Sequence, residues 1–352
     1  MADRRKAVVR AGLETLYYSG MHHVARQFLA GSGAILTFHR VRPALPNAFQ
    51  PNRTLEVTPE FLDEVITALR AANVEIVTLD EVHRRLISGE RSRRFVALTF
   101  DDGYRDNLQY AWPVLKRHQV PFTIYVPSAY AEGRGELWWI VLEEVIARHT
   151  EIEVMLDGVE CVFDCSTAEA KQQSFETIYR HIRAKPTDGD LRQVIRELAF
   201  AYGVDMGKLC RDLCMGWEEI AGLAADPLVT IGAHTVTHPI LAKLTAEAAR
   251  AEIVDGGREI TRVLGRSPTH FAYPVGTPDA AGVREFALAA GAGFKTAVTT
   301  RPGVLFPDHV RHLTALPRIS VNGDFQRLRY LDVLLSGAPT ALLNRFRRVD
   351  AA

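Results

Sequence analysis

Short, almost unbroken apolar runs recur along the chain, separated by segments with helical periodicity. "GAILTFHRV" (33–41), "EIVTL" (75–79), "FVALTF" (95–100), "FTIYVP" (122–127), "LVTIGAH" (228–234), "THFAYP" (269–274), "FKTAVTT" (294–300) and "ALPRISV" (315–321) read as strands. Between them, "TPEFLDEVITALRAANV" has Thr58 as N-cap and Pro59 at the first helical position, and "TAEAARAEIVDGGREITRVL" and "DAAGVREFALAAG" repeat the helical pattern. Strands apolar on both faces and alternating with helices predict parallel pairing under a helical outer layer. About seven such strands predict an α/β, barrel-like (β/α) architecture, in which functional groups sit at the C-terminal strand ends.

The rhythm breaks between residues 130 and 227. "IEVMLDGVECVF" predicts a β-hairpin turning at Asp157-Gly158, and the rest of the stretch is mostly helical. This is an insertion into the α/β body, placed to cap a site. Residues 1–32 form an amphipathic helical extension with a basic face, 33–325 the main domain, and 326–352 a helical tail.

Composition narrows the classes. The chain has 352 residues, 47% hydrophobic and 24% charged, enough for a large core. Its formal net charge of zero argues against a nucleic-acid binder. No apolar run reaches the length of a membrane span, and the N-terminus lacks the pattern of a secretory signal. A cytoplasmic protein with reduced thiols is therefore expected. Cys161 and Cys165, four apart on an expected strand, would lie about 13 Å from each other, too far to share a metal. The basic N-terminus and "YLDVLLSGAPTALLNRFRRVD" could hold the protein peripherally at the inner membrane face. The alternative reading packs both segments on the barrel.

Three strand ends carry polar groups that packing does not explain. Asp101 and Asp102 end "ALTF", His39 ends "ILTF", and His234 and His238 follow "LVTI" four residues apart. Two imidazoles and a carboxylate with an open position make a ligand set for a catalytic divalent ion. Surface histidines and an Asp-Asp-Gly turn would be the bland alternative.

"TFDDGY" (99–104) with "HTVTH" (234–238) resembles the polysaccharide deacetylase family, the NodB homology domain or carbohydrate esterase family 4, over roughly residues 33–325. The resemblance implies a distorted (β/α) barrel that removes acetyl groups from sugars with a divalent metal, zinc being expected. It makes Asp101 the base, Asp102, His234 and His238 the metal ligands, and the N–H of Tyr104 an oxyanion donor. Two positions depart from the family pattern. "FAYPVG" (271–276) keeps Pro274 but puts Ala272 where an Arg orienting the base is usual, and Leu316-Pro317-Arg318 replaces the L-x-H that supplies the acid. Arg318 stays charged and cannot titrate near neutrality. The proton donor is thus open, with His39 the first candidate and His309 and His312 behind it. Pro274, Arg318 and Trp138 are candidate substrate contacts, although a Trp pair at a helix start also serves packing.

Three functions follow from these residues. The first is deacetylation of an acylated sugar, presented as a nucleotide-sugar or a lipid-linked saccharide. The second, suggested by the altered third motif, is deformylation or cleavage of another small C–N bond. The third is a catalytically weak metal-containing carbohydrate-binding protein.

Overall fold

Seven of the eight apolar runs pair edge to edge into a closed parallel ring. The computed structural model describes residues 2–90 and 93–351; Met1 and Ala352, the outermost residues of the two expected terminal segments, lie outside them. The barrel strands are β1 (Gly33–Phe38), β2 (Phe95–Phe100), β3 (Phe122–Val126), β4 (Val229–Ala233), β5 (His270–Ala272), β6 (Thr296–Pro302) and β7 (Leu316–Ser320). Each pairs with its neighbours in sequence, and β1 closes the ring by pairing with both β2 and β7. The expected "EIVTL" strand shrinks to Glu75–Ile76, which pairs only with Phe95 and Val96. From Leu98 onward that edge of β2 belongs to β3, so no further partner is left for it.

Side-chain alternation sorts each strand into two faces. On β2, Val96, Leu98 and Phe100 pack outward against Leu62, Val65 and Ile66 of the helix Pro59–Ala71. Ile35, Phe95, Ala97 and Tyr125 form a separate cluster with Leu79, Val82 and Leu86 of the helix Leu79–Ser88. That helix plugs the N-terminal end of the barrel and leaves the other end for chemistry. Both helices begin as their sequences specify: the Thr58 hydroxyl accepts from Phe61 N–H, and Thr78 accepts from Glu81 N–H. Each large apolar side chain so buried contributes roughly 2 kcal/mol.

The insertion between β3 and β4 carries its own core, in which Leu142, Ile146, Ile152, Ile178 and Ile195 are buried together. Its hairpin, Glu151–Leu156 with Val159–Asp164, turns at Asp157 and Gly158, both at positive φ. The N-terminal segment is two helices rather than one. Ala2–Tyr18 and Met21–Leu29 are separated at Gly20, whose φ of 71° no continuing helix allows. The chain ends meet: Leu13 packs on Tyr330 and Val333 of the helix Leu328–Leu335. Among the described residues no helix is long and apolar enough to cross a membrane.

Candidate active site

Strand register brings the first group together. β1 and β2 pair with Thr37 opposite Thr99 and Phe38 opposite Phe100, so His39 and Asp101 emerge level with each other. Asp101 follows Ala97 and Thr99 on the interior face, as His39 follows Ile35 and Thr37. His39 Nε2 lies 3.9 Å from Asp101 Oδ2, and its side chain is 21% exposed where that of Asp101 is 3%.

Arg318, two residues after Leu316 on β7, also turns inward. Its Nη1 donates to Asp101 Oδ1 at 2.7 Å and its Nη2 to Asp101 Oδ2 at 2.6 Å. Nε donates to the Thr299 carbonyl at 2.8 Å, and Nη1 also reaches Thr99 Oγ1 at 3.2 Å. This residue is therefore not an open substrate contact. It is wholly buried and spends its planar fork on the carboxylate. Burial raises the pKa of Asp101, and the guanidinium more than offsets that, leaving the carboxyl below its usual range. The guanidinium beside Asp101 thus comes from β7 and not from the position of Ala272.

Asp102 takes the left-handed conformation, φ 70°, which turns its side chain away from that of Asp101. Its Oδ1 lies 3.4 Å from His234 Nε2 and 3.2 Å from His238 Nε2. All three residues are buried, and their candidate ligand atoms lie within 4.8 Å of one another. His234 Nδ1 donates to the Ala272 carbonyl at 2.7 Å, which fixes the ring with its Nε2 turned to Asp102. Burial lowers the pKa of His238 against the pull of Asp102, which favours a neutral ring at that position. Asp102 Oδ1, although buried, accepts no hydrogen bond. A buried carboxylate oxygen that accepts no hydrogen bond and is faced by two imidazole nitrogens is left with a cation as its natural partner. The set fits a divalent ion.

The loop carrying the histidines is held from two sides. Glu252 accepts from Val236 N–H and Thr237 N–H, both at 2.9 Å, and from Thr237 Oγ1 at 2.7 Å. One turn further along the helix Ala246–Leu264 that carries Glu252, a Cβ on Gly256 would lie 2.6 Å from Thr235 backbone atoms, so only glycine fits. From the insertion, Arg192 Nη2 donates to the Thr237 carbonyl at 3.0 Å, and Asp188 Oδ1 accepts from Ile240 N–H at 2.9 Å. Arg192 and Asp188 also pair with each other at 2.5 Å.

The insertion supplies an aromatic wall. Trp139 and Tyr130 lie with ring centroids 5.3 Å and 5.8 Å from that of His238, and Trp139 Nε1 donates to Tyr104 OH at 3.2 Å. Trp138, the expected substrate contact, instead turns into the insertion core against Tyr179. Tyr104 faces Cys214 across an isolated antiparallel bridge in which Met215 N–H donates to Gly103 O at 3.0 Å. That register leaves the Tyr104 N–H outside the pairing. Pro274 is buried in the loop after β5, its carbonyl accepting from Gly276 N–H at 2.6 Å. His309 is buried in the turn Pro307–Arg311, beside the helix that closes the opposite end of the barrel, and His312 is exposed. Neither joins the site. The four cysteines are free, and Cys210 Sγ donates to the Tyr130 carbonyl at 3.5 Å.

The molecule is thus a closed seven-stranded parallel barrel with a buried Asp-His-His cluster, able to hold a metal ion, at its C-terminal end. Residues 88–294, more than half of the chain, match the polysaccharide deacetylase family model, and the chain belongs to that family. No curated protein matches the sequence. Among solved structures, the Streptococcus pyogenes deacetylase PplD in complex with acetate is similar at 18% identity and a TM-score of 0.58, over 86% of this chain and 97% of that one. IcaB from Ammonifex degensii follows at 18% identity and a TM-score of 0.54, over 87% and 96%. A de-N-acetylase from Aggregatibacter actinomycetemcomitans shares 11% identity at a TM-score of 0.54, over 86% and 99%. At these identities the likeness is one of fold.

Proposed function

We propose that this protein hydrolyses the N-acetyl group of an acylated sugar, with zinc as its metal. The observation that carries the reading is the separation of two buried sets: Asp102, His234 and His238 converge on one point, while Asp101 is held beside them by Arg318. Bound there, a divalent ion supplies Lewis-acid polarisation and a water acidic enough to lose a proton near neutral pH.

The protein's own groups then divide the work. Asp101, kept ionised by Arg318, accepts the proton of the attacking water. The unpaired N–H of Tyr104 is the backbone donor available to the acyl oxygen as negative charge grows on it. The amine must leave protonated, and His39 is the titratable group beside Asp101 that is also open to solvent. A proton passed from His39 to the nitrogen completes the cleavage, releasing acetate and the free amine. The saccharide would be carried on a nucleotide or a lipid.

Acetate release from N-acetylhexosamine saccharides tests this, before and after chelation and metal return. Activity should vanish with chelator, recover with zinc, and drop by about 10³-fold or more in Asp101→Asn. Turnover insensitive to chelation or to that substitution would overturn the mechanism. One observation favours a second reading, cleavage of a smaller C–N bond such as a formamide. Tyr104, Tyr130 and Trp139 leave every metal-ligand candidate at most 7% exposed, a narrow approach for a polymer. A panel of acetyl, formyl and ureide compounds separates the two.

A further inference from the structure

The end of the barrel opposite the catalytic strand ends carries a surface unlike the rest of the molecule. On the helix Met21–Leu29, Met21, Val24 and Phe28 follow i, i+3, i+7 spacing and share one face. At the other end of the chain, Leu342, Leu343 and Phe346 close the helix Ala338–Leu343 and the turn after it. All six are between 58% and 69% exposed. The two helices pack together, and they are pinned at Gly337, where a Cβ would lie 1.9 Å from the Leu29 carbonyl oxygen. The two apolar triplets thus belong to one end of the protein.

Charge marks the occupant. Segments 20–31 and 337–349 contain no Asp or Glu, although the chain as a whole carries 42 acidic and 42 basic residues. Arg345, Arg347 and Arg348 are exposed beside the second triplet. The acids that flank the C-terminal segment in sequence are engaged: Asp332 by Arg26 at 2.6 Å, and Asp350 by Arg301 at 3.3 Å. An apolar face whose own two segments carry cations and no acids matches an interface of buried acyl chains and anionic headgroups. A second copy of the same face would set those arginines against each other.

We propose that this end of the barrel docks on an anionic lipid bilayer. Its orientation has a consequence for the site. Leu29 lies just before β1, and Arg94, which precedes β2, donates to the Leu335 carbonyl at 2.7 Å, so both helices meet the barrel at its N-terminal end. His39 and Asp101 leave the far end of β1 and β2, about 20 Å away for a six-residue strand. A docked molecule therefore turns its site away from the membrane, towards a nucleotide-borne saccharide in the aqueous phase rather than a lipid-borne one. The docking face does not depend on which acyl group is cleaved.

Flotation of the full-length, metal-loaded protein with vesicles decides the matter. It should bind phosphatidylcholine vesicles containing about one-third phosphatidylglycerol, release as salt rises from about 0.1 M to about 0.5 M, and ignore pure phosphatidylcholine. The triple variant Arg345→Gln, Arg347→Gln, Arg348→Gln should lower binding on the order of 100-fold. Phe28→Ser with Leu343→Ser should abolish insertion. Both should keep the parent melting temperature and turnover of a soluble substrate. Absence of binding to anionic vesicles, equal binding to neutral ones, or a dimer that the Phe28→Ser, Leu343→Ser protein loses would each overturn the proposal.

Discussion

Arg318 illustrates how one side chain changes role when its surroundings are known. An arginine on an otherwise apolar strand reads as a departure from the family pattern. In the barrel it is a buried cation whose only affordable neighbour is a carboxylate. Replacing it separates orientation from ligand binding. Arg318→Lys retains a charge but loses the fork, so kcat should fall about 100-fold while zinc content, measured by elemental analysis, stays at the parent value. Arg318→Met leaves Asp101 buried and unpaired, and denaturant unfolding should show a loss of about 3–5 kcal/mol. Unchanged turnover in Arg318→Lys would mean that Asp101 needs no positioning.

Among the elements, the insertion helix Asp188–Ala201 couples most directly to the metal loop. Its start is specified locally: Thr187 accepts from Asp190 N–H at 3.1 Å, and Asp190 answers by accepting from Thr187 N–H at 3.3 Å. That capping box sets Asp188 and Arg192 one turn apart, facing the loop between His234 and His238. Arg192→Met should therefore weaken metal binding by about 10–100-fold in a chelator competition. Glu252→Gln, which keeps shape but loses charge on the other side of the loop, should do the same to a lesser degree. Parent affinity in Arg192→Met would show that the insertion only covers the site.

For the whole molecule, part of the acid sensitivity lies far from the chemistry. His270, at the start of β5, and His309 are each pushed down to about 4, chiefly by burial. Their unfolded values are near 6.5, so the unfolded chain binds protons more tightly than the native one. The stabilisation is full above about pH 6.5 and is lost as pH falls towards 4, on the order of 3 kcal/mol for each histidine. Urea unfolding at pH 7.5 and pH 5 should show about 2 kcal/mol of this loss for each histidine, and His270→Gln should flatten the dependence by one such share. An equally steep profile in that variant would assign the acid sensitivity elsewhere.

Apolar runs separated by capped helices were enough to predict a parallel barrel, the hairpin at Asp157-Gly158, and chemistry at the strand ends, because these depend on periodicity and local turns. "TFDDGY" and "HTVTH" named residues that the fold does bring together. Partners chosen by closure of the ring were not legible. Arg318 meets Asp101 only because β7, β1 and β2 are neighbours in a closed barrel, across 217 residues of chain. Trp139 rather than Trp138 reaches His238 because helix rotation in the insertion core decides which ring turns inward. The "EIVTL" strand failed for the same kind of reason: its partner edge was already taken. Local physics wrote the elements and the reactive residue types, while contacts between distant segments settled which side chain holds which.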